Sequence, residues 1–94
     1  MAKAKTKTHP EDDMLAAQVR KATRFSACIH LGPGNRHTRY IEQGGQAGYD
    51  AALAVAAEFD AMSQFGRRAV VYAINSLGSF PVDAKLARLA GFAA

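Results

Sequence analysis

The spacing of apolar and polar residues changes twice in the first half of the chain. An apolar stripe at helical spacing, with acidic residues at its start and basic residues at its end, predicts a helix over residues 10–22. From Arg24 the apolar residues recur at every second position, which is typical of a half-buried strand. The residues predicted to face the core are Phe25, Ala27, Ile29 and Leu31.

A second strand over residues 36–42 completes a predicted hairpin. Pro33 cannot supply the positive φ that the tightest hairpin turns need at their first central position. We therefore expect a four-residue loop from Gly32 to Asn35. The pairs expected from it are Leu31 with Arg36, Ile29 with Thr38, Ala27 with Tyr40 and His30 with His37. A three-residue loop with a bulge would shift these pairs, and it stays open as an alternative.

The second half of the chain alternates again between helix and strand. An alanine-rich segment without glycine or proline predicts a long helix over residues 49–65, preceded by a flexible connection. The continuous apolar run at 69–74 is typical of a buried strand, and residues 75–81 predict a loop. Asp83 can cap a last short helix over residues 84–90.

The order α-β-β-α-β-α indicates an α+β fold with a small three-stranded sheet, formed by the hairpin, a crossover helix and the third strand. A right-handed crossover makes the third strand parallel to one hairpin strand. Its natural neighbour is the first strand, which leaves the second at an edge. A chain of 94 residues builds one modest core. We expect a single domain over residues 8–94 behind a flexible basic tail at residues 1–7.

Composition narrows the classes of protein that the chain can represent. Hydrophobic residues make up 49% and charged residues 21%, which are ordinary globular values. No apolar run approaches the roughly 18 residues of a membrane span, and the lysines near the N-terminus lack the apolar segment of a secretory signal. A single cysteine excludes an internal disulfide. These observations favour a cytoplasmic protein without a membrane partner.

The closing strand reads Gly-Arg-Arg-Ala-Val-Val-Tyr-Ala-Ile over residues 66–74 and is followed by a loop containing Gly78. Together with the polar hairpin and the alanine-rich helix, this pattern resembles small bacterial β-β-α-β domains to which no activity is assigned. The resemblance covers residues 24–82. It implies a bacterial, cytosolic setting, and it offers no site residues to transfer.

Candidate chemistry is sparse. Cys28, His30 and His37 would share a strand face in the expected register, but no fourth ligand and no orienting carboxylate lies near them in sequence. The glycines before the long helix match no phosphate-binding fingerprint, and no oxyanion feature accompanies the thiol. We therefore expect no enzyme activity, no metal, no cofactor and no small-molecule substrate.

Charge distribution gives the leading functional hypothesis. The net charge is +4, and residues 14–41 contain five Lys and Arg residues but no acid. Such a block attracts polyanions, so we expect weak binding to nucleic-acid backbones. The candidate contact residues are Arg24, Arg36, His37, Arg39, Arg67 and Arg68. Phe25 and Tyr40 are predicted to point to the core, which leaves no exposed aromatic ring for base stacking.

A protein-interaction or homodimerisation module is the alternative from another class. It rests on the exposed sheet edge and on three apolar residues near the C-terminus, Leu86, Leu89 and Phe92. The same residues can instead close the protein's own core. We favour that role for Leu86 and Leu89, and the sequence leaves Phe92 open.

Overall fold

The computed structural model describes residues 10–63 and 66–93. The predicted basic tail at residues 1–7 and the predicted last two residues of the long helix lie outside the described residues. The elements are α1 (Pro10–Arg20), β1 (Arg24–Gly32), β2 (Asn35–Ile41), α2 (Gly45–Met62), β3 (Val70–Asn75), β4 (Gly78–Val82) and α3 (Ala84–Leu89).

The strands form one antiparallel sheet in the order β2-β1-β3-β4. The predicted α+β class is confirmed, as are the pairing of the third strand with the first and the edge position of the second. Because β3 is antiparallel to β1, it runs in the same direction as β2. Helix α2 therefore connects β2 to β3, two strands that run in the same direction with β1 between them. Strand β1 is thus an inner strand that pairs on both sides.

The prediction of three strands is wrong, because residues 78–82 form a fourth strand where a loop was expected. Gly78 and Pro81 suggested the loop. Pro81 lies opposite Tyr72 on the outermost strand, and edge strands tolerate proline because one of their sides has no strand neighbour. The turn before β4 is held by Asn75, whose Oδ1 accepts a hydrogen bond from the Leu77 N–H at 2.7 Å.

The hairpin has a bulge, as in the alternative, but its loop has two residues instead of the three or four considered, and the expected register is wrong by one residue. Pro33 and Gly34 form a two-residue turn, and the φ of +71° at Gly34 is what a type II turn requires after proline. A turn of this type does not match the right-handed twist of the flanking strands. The bulge at Leu31 increases the local twist and so restores the match. The observed pairs are Ser26 with Tyr40, Ala27 with Arg39, Cys28 with Thr38, Ile29 with His37 and His30 with Arg36.

One face of the sheet packs against the helices. On β1 the side chains of Phe25, Ala27 and Ile29 are fully buried, as the period of two predicted. They belong to one hydrophobic cluster with residues from α1, α2, α3, β3 and β4. The members from α2 are Tyr49, Ala52, Val55, Ala56 and Phe59. The sheet and the helices therefore form two layers around a single core.

The C-terminal apolar residues close this core, as favoured for Leu86 and Leu89. Leu86 is buried and Leu89 packs against the cluster. Phe92 has the same role, because its ring stacks on Tyr49 at 5.3 Å between centroids and meets the edge of Phe25 at 6.0 Å. Burial raises the pKa of the Tyr49 phenol above its ordinary value.

Polar contacts hold α3 in place: one caps its first turn, and another joins its last turn to α1. Asp83 caps α3 as predicted, since its Oδ1 accepts a hydrogen bond from the Leu86 N–H at 2.8 Å. At the other end of α3, the Arg20 Nε donates to the Ala90 carbonyl at 3.1 Å. A guanidinium there satisfies a carbonyl that the helix leaves unpaired. The pair α1 and α3 thus closes the half of the core that α2 does not cover.

Helix α2 begins at Gly45, so the expected flexible connection is in part helical. The glycines there allow close contact between backbones. A methyl group at Gly48 would overlap the carbonyl oxygen of Gln43 and would lie 3.0 Å from Cδ1 of Phe25. The absence of a side chain at Gly48 lets the first turn of α2 lie directly on β1.

We expect Gly48→Ala to destabilise the protein. Helix propensity alone favours alanine by about 1 kcal/mol, but overpacking against backbone costs about 1–3 kcal/mol or more. Thermal unfolding checks the sign, and the net loss should lower Tm by several degrees. The exposed helical variant Ala54→Gly reports the ordinary propensity in the same helix. A Tm for Gly48→Ala above that of the wild type would contradict the close packing.

Candidate nucleic-acid interface

The second face of the sheet is the candidate site, and we call it the open face. It contains a concavity of about 240 Å³, and every described residue that lines it belongs to a strand. The residues that line it are Ser26, Cys28, His30, Arg36, Thr38, Tyr40, Tyr72 and Ser79. The volume is below the ~300–1,000 Å³ of sites that enclose a small molecule. The concavity is therefore a shallow platform, suited to an extended or planar ligand.

Two tyrosines cross the middle of the open face. Ser26 on the central strand pairs with Tyr40 of β2 on one side and with Tyr72 of β3 on the other. Tyr40 is 57% exposed, and Ser26 between the two rings is only 4% exposed. The three residues share a face because directly paired residues point the same way. A small residue of β1 thus lies between two rings that rise from the strands on either side of it.

Cationic side chains stand on either side of this row. Arg24 precedes it on β1, and its guanidinium carbon lies 5.5 Å from the centroid of the Tyr40 ring. His30 follows it on β1 and pairs with Arg36 of β2. Six residues of extended strand place Arg24 and His30 about 20 Å apart. The open face therefore carries positive charge at one end and a basic pair at the other.

Neither arginine of the open face is held by a strong ion pair. Arg24 Nη1 lies 3.3 Å from Glu42 Oε2, but both side chains are well exposed, and such pairs contribute little. Arg36 is exposed and has no ion-pair partner within residues 10–63 and 66–93. Both guanidiniums are available to phosphate groups at small energetic cost.

His37 and Arg39 do not lie on the same face as Arg24, where the expected hairpin register would have placed them. The bulge at Leu31 turns them toward α2. Arg39 Nη1 lies 3.7 Å from Glu58 Oε1, and its guanidinium carbon lies 6.0 Å from the Phe59 ring. The His37 ring lies 6.1 Å from the same ring. These two residues cover the end of the core instead.

Arg67 and Arg68 lie in the segment that leads into β3. Asp60 organises this segment, because its Oδ1 accepts a hydrogen bond from the Ala69 N–H at 2.6 Å. Its Oδ2 lies 3.5 Å from Arg68 Nε. The Arg67 N–H donates to Ser63 Oγ at 2.9 Å. Since β3 begins beside Cys28, both arginines are near the end of the sheet from which the hairpin extends.

The arrangement needed for a metal site does not form. Cys28 and His30 are on the open face, whereas His37 is on the face toward α2. Cys28 lies opposite Thr38 and Val70, not opposite Arg39 as expected. Across residues 10–63 and 66–93, no three side chains of His, Cys, Asp or Glu are grouped as a metal would require.

The tyrosines of the open face were missed by the sequence interpretation. For Tyr40 the error comes from the register, because a shift of one residue moves every side chain of β2 to the other face. For Tyr72 a signal was present. It lies between Val71 and Ala73 in the apolar run, and those two residues are buried toward the helices. A period of two within that run would have placed Tyr72 on the opposite face.

Comparison of the chain with known protein-family models, curated proteins and solved structures finds no match. The open face is therefore interpreted from its own geometry and charge. Among the helices that the structure describes, none has both the length and the apolar character of a membrane span.

We expect protein purified without a histidine tag to contain no stoichiometric zinc. The physical reason is that the third candidate ligand, His37, is on the other face of a paired strand. Elemental analysis by mass spectrometry measures the metal content directly. One zinc per chain, lost together with thermal stability in His30→Ala, would contradict this separation of the ligands.

Proposed function

We propose that this protein is a small non-enzymatic domain that binds nucleic acid weakly, through the phosphate backbone, on the open face. The observation that carries the proposal is a sheet face that none of the described helices covers, with arginines on both sides of its centre, in a chain of net charge +4. A bacterial cytoplasm is the setting we propose, from the resemblance of residues 24–82.

Phosphate can bind to both arginines of the open face because neither is held by a strong ion pair. A guanidinium presents several N–H donors in a plane and pairs well with phosphate oxygens. Arg36 is exposed, and Arg24 can exchange its weak contact with Glu42 for a phosphate. Binding of this kind releases counterions, so its strength depends steeply on salt. The expected affinity is modest, because few cations take part.

A protein partner is the alternative proposal, and the sheet edges give it little support. The edge strand β2 carries Arg36, His37 and Arg39, and the edge strand β4 contains Pro81, which has no N–H to donate. Charged residues and proline on edge strands discourage pairing with a second sheet. The apolar residues Leu86 and Phe92 are already used within the core. A homodimer would have to form through another surface.

We expect the double variant Arg24→Gln/Arg36→Gln to weaken binding to unrelated oligonucleotides about equally. Each lost phosphate contact should also reduce the slope of log affinity against log salt by about 1. Fluorescence anisotropy with labelled DNA and RNA at several salt concentrations measures both effects. The affinity at low salt should fall by at least about tenfold for the pair.

The matched control is Arg39→Gln/Arg88→Gln, which removes the same number of charges. Arg39 faces α2 and Arg88 is on α3, so neither belongs to the open face. We expect this control to lose much less affinity. Equal losses for the two double variants would show that only total charge matters. Absence of binding by the wild type at low salt would overturn the proposal and leave the protein-interaction alternative.

A further inference from the structure

The open face offers more than charge, because it presents aromatic rings. Tyr40 and Tyr72 stand on strands that flank β1, and strand spacing puts their backbones about 10 Å apart. Ser26 between them is short and nearly buried, so its side chain does not rise between the two rings. The next row holds Cys28 and Thr38, which are also small. The middle of the face therefore carries short side chains beside the exposed ring of Tyr40 and the half-buried ring of Tyr72.

Aromatic rings on an open sheet are suited to unpaired bases. Every base has a π-face that can stack on a tyrosine ring, and stacking of this kind tolerates any sequence. In a duplex the same base faces are covered by neighbouring base pairs. A face that combines rings with phosphate-binding arginines therefore distinguishes single strands from duplexes, whereas arginines alone do not.

The arginines are placed where the backbone of a stacked strand needs them. The Arg24 guanidinium lies over one face of the Tyr40 ring at 5.5 Å, so a base would stack on the other face, or on the same face once the guanidinium has moved to a phosphate. Arg36 pairs with His30 beyond the row of small residues. Positive groups therefore border the tyrosine row along the direction of β1, and phosphates on either side of the stacked bases can reach them.

We propose that the open face binds single-stranded nucleic acid, with bases stacked on Tyr40 and Tyr72 and phosphates held by Arg24 and Arg36. This inference rests on the proposed function and names its ligand class. It also reverses the expectation that the chain has no ring available for stacking, because both rings belong to the open face.

Intrinsic fluorescence gives a direct test. The chain has three tyrosines and no tryptophan, and Tyr49 is buried in the core. In a Tyr49→Phe background, all tyrosine fluorescence comes from the open face. We expect single-stranded DNA or RNA of about 12 nucleotides, within the usual range of site sizes, to quench this signal as bases stack. A duplex of the same sequence and a strand of abasic sites should quench it much less.

Affinity measurements on single variants complete the test. Tyr40→Ala and Tyr72→Ala should each weaken single-strand binding by roughly 5- to 100-fold while leaving the salt slope unchanged. Tyr40→Phe and Tyr72→Phe should keep most of the affinity, because the ring is retained. Leu77→Ala, at an exposed apolar residue in the turn before β4, is the control for a lost side chain elsewhere. Thermal unfolding of each variant confirms that it is folded.

The outcomes separate this inference from the proposed function. Stronger binding of either single strand supports the inference, and the ratio of the two affinities assigns DNA or RNA as the preferred ligand. Equal binding of single strands, duplex and abasic strand, with neutral alanine variants, would overturn the inference and leave backbone binding intact. No binding to any of these probes would overturn both.

Discussion

Burial of one side of β1 is the constraint on which the rest of the molecule depends. Phe25, Ala27 and Ile29 are fully buried against the helices, and their burial supplies much of the driving force for folding. Since side chains alternate along a strand, the same constraint sends Ser26 and the residues two and four positions after it to the other face. β1 pairs on both sides, so it also sets which residues of β2 and β3 accompany Ser26.

The bulge at Leu31 decides what the open face can do. In a hairpin without it, Tyr40 would point toward α2 and Arg39 would take its place in the open. With it, Tyr40 joins Tyr72 on the open face, and Arg39 covers Phe59. One extra residue in β1 therefore exchanges Arg39 for Tyr40 on the open face, beside Tyr72, whose place is set by the pairing of β3 with β1. Pro33 excludes the turns that need a positive φ at their first central position, and the turn that forms instead is accompanied by the bulge.

Hydrophobic periodicity was a sound guide where an element buries one clear face. It predicted α1, both hairpin strands, β3 and α3 with small errors in their ends, and it predicted the buried residues of β1. It failed where one glycine or proline determines whether a segment forms a strand, a helix or a loop. Gly78 and Pro81 led to a predicted loop where β4 forms. Gly45 and Gly48 led to a predicted flexible connection where the first turn of α2 forms, because close packing, not flexibility, requires glycine at Gly48. The candidate arginines were found from charge, but which of them share a face depended on the geometry of one turn.

The register of the hairpin determines which residues of β2 reach the open face, and Cys28 allows it to be measured. Cys28 is the chain's single cysteine, and it lies directly opposite Thr38 at the short distance of paired strands. Under mild oxidation, Thr38→Cys should form an intramolecular disulfide with Cys28, detected by mass spectrometry, because paired residues lie within disulfide range. Arg39→Cys should keep two free thiols, since Arg39 points to the other face. A disulfide in Arg39→Cys but not in Thr38→Cys would restore the unbulged register and remove Tyr40 from the open face.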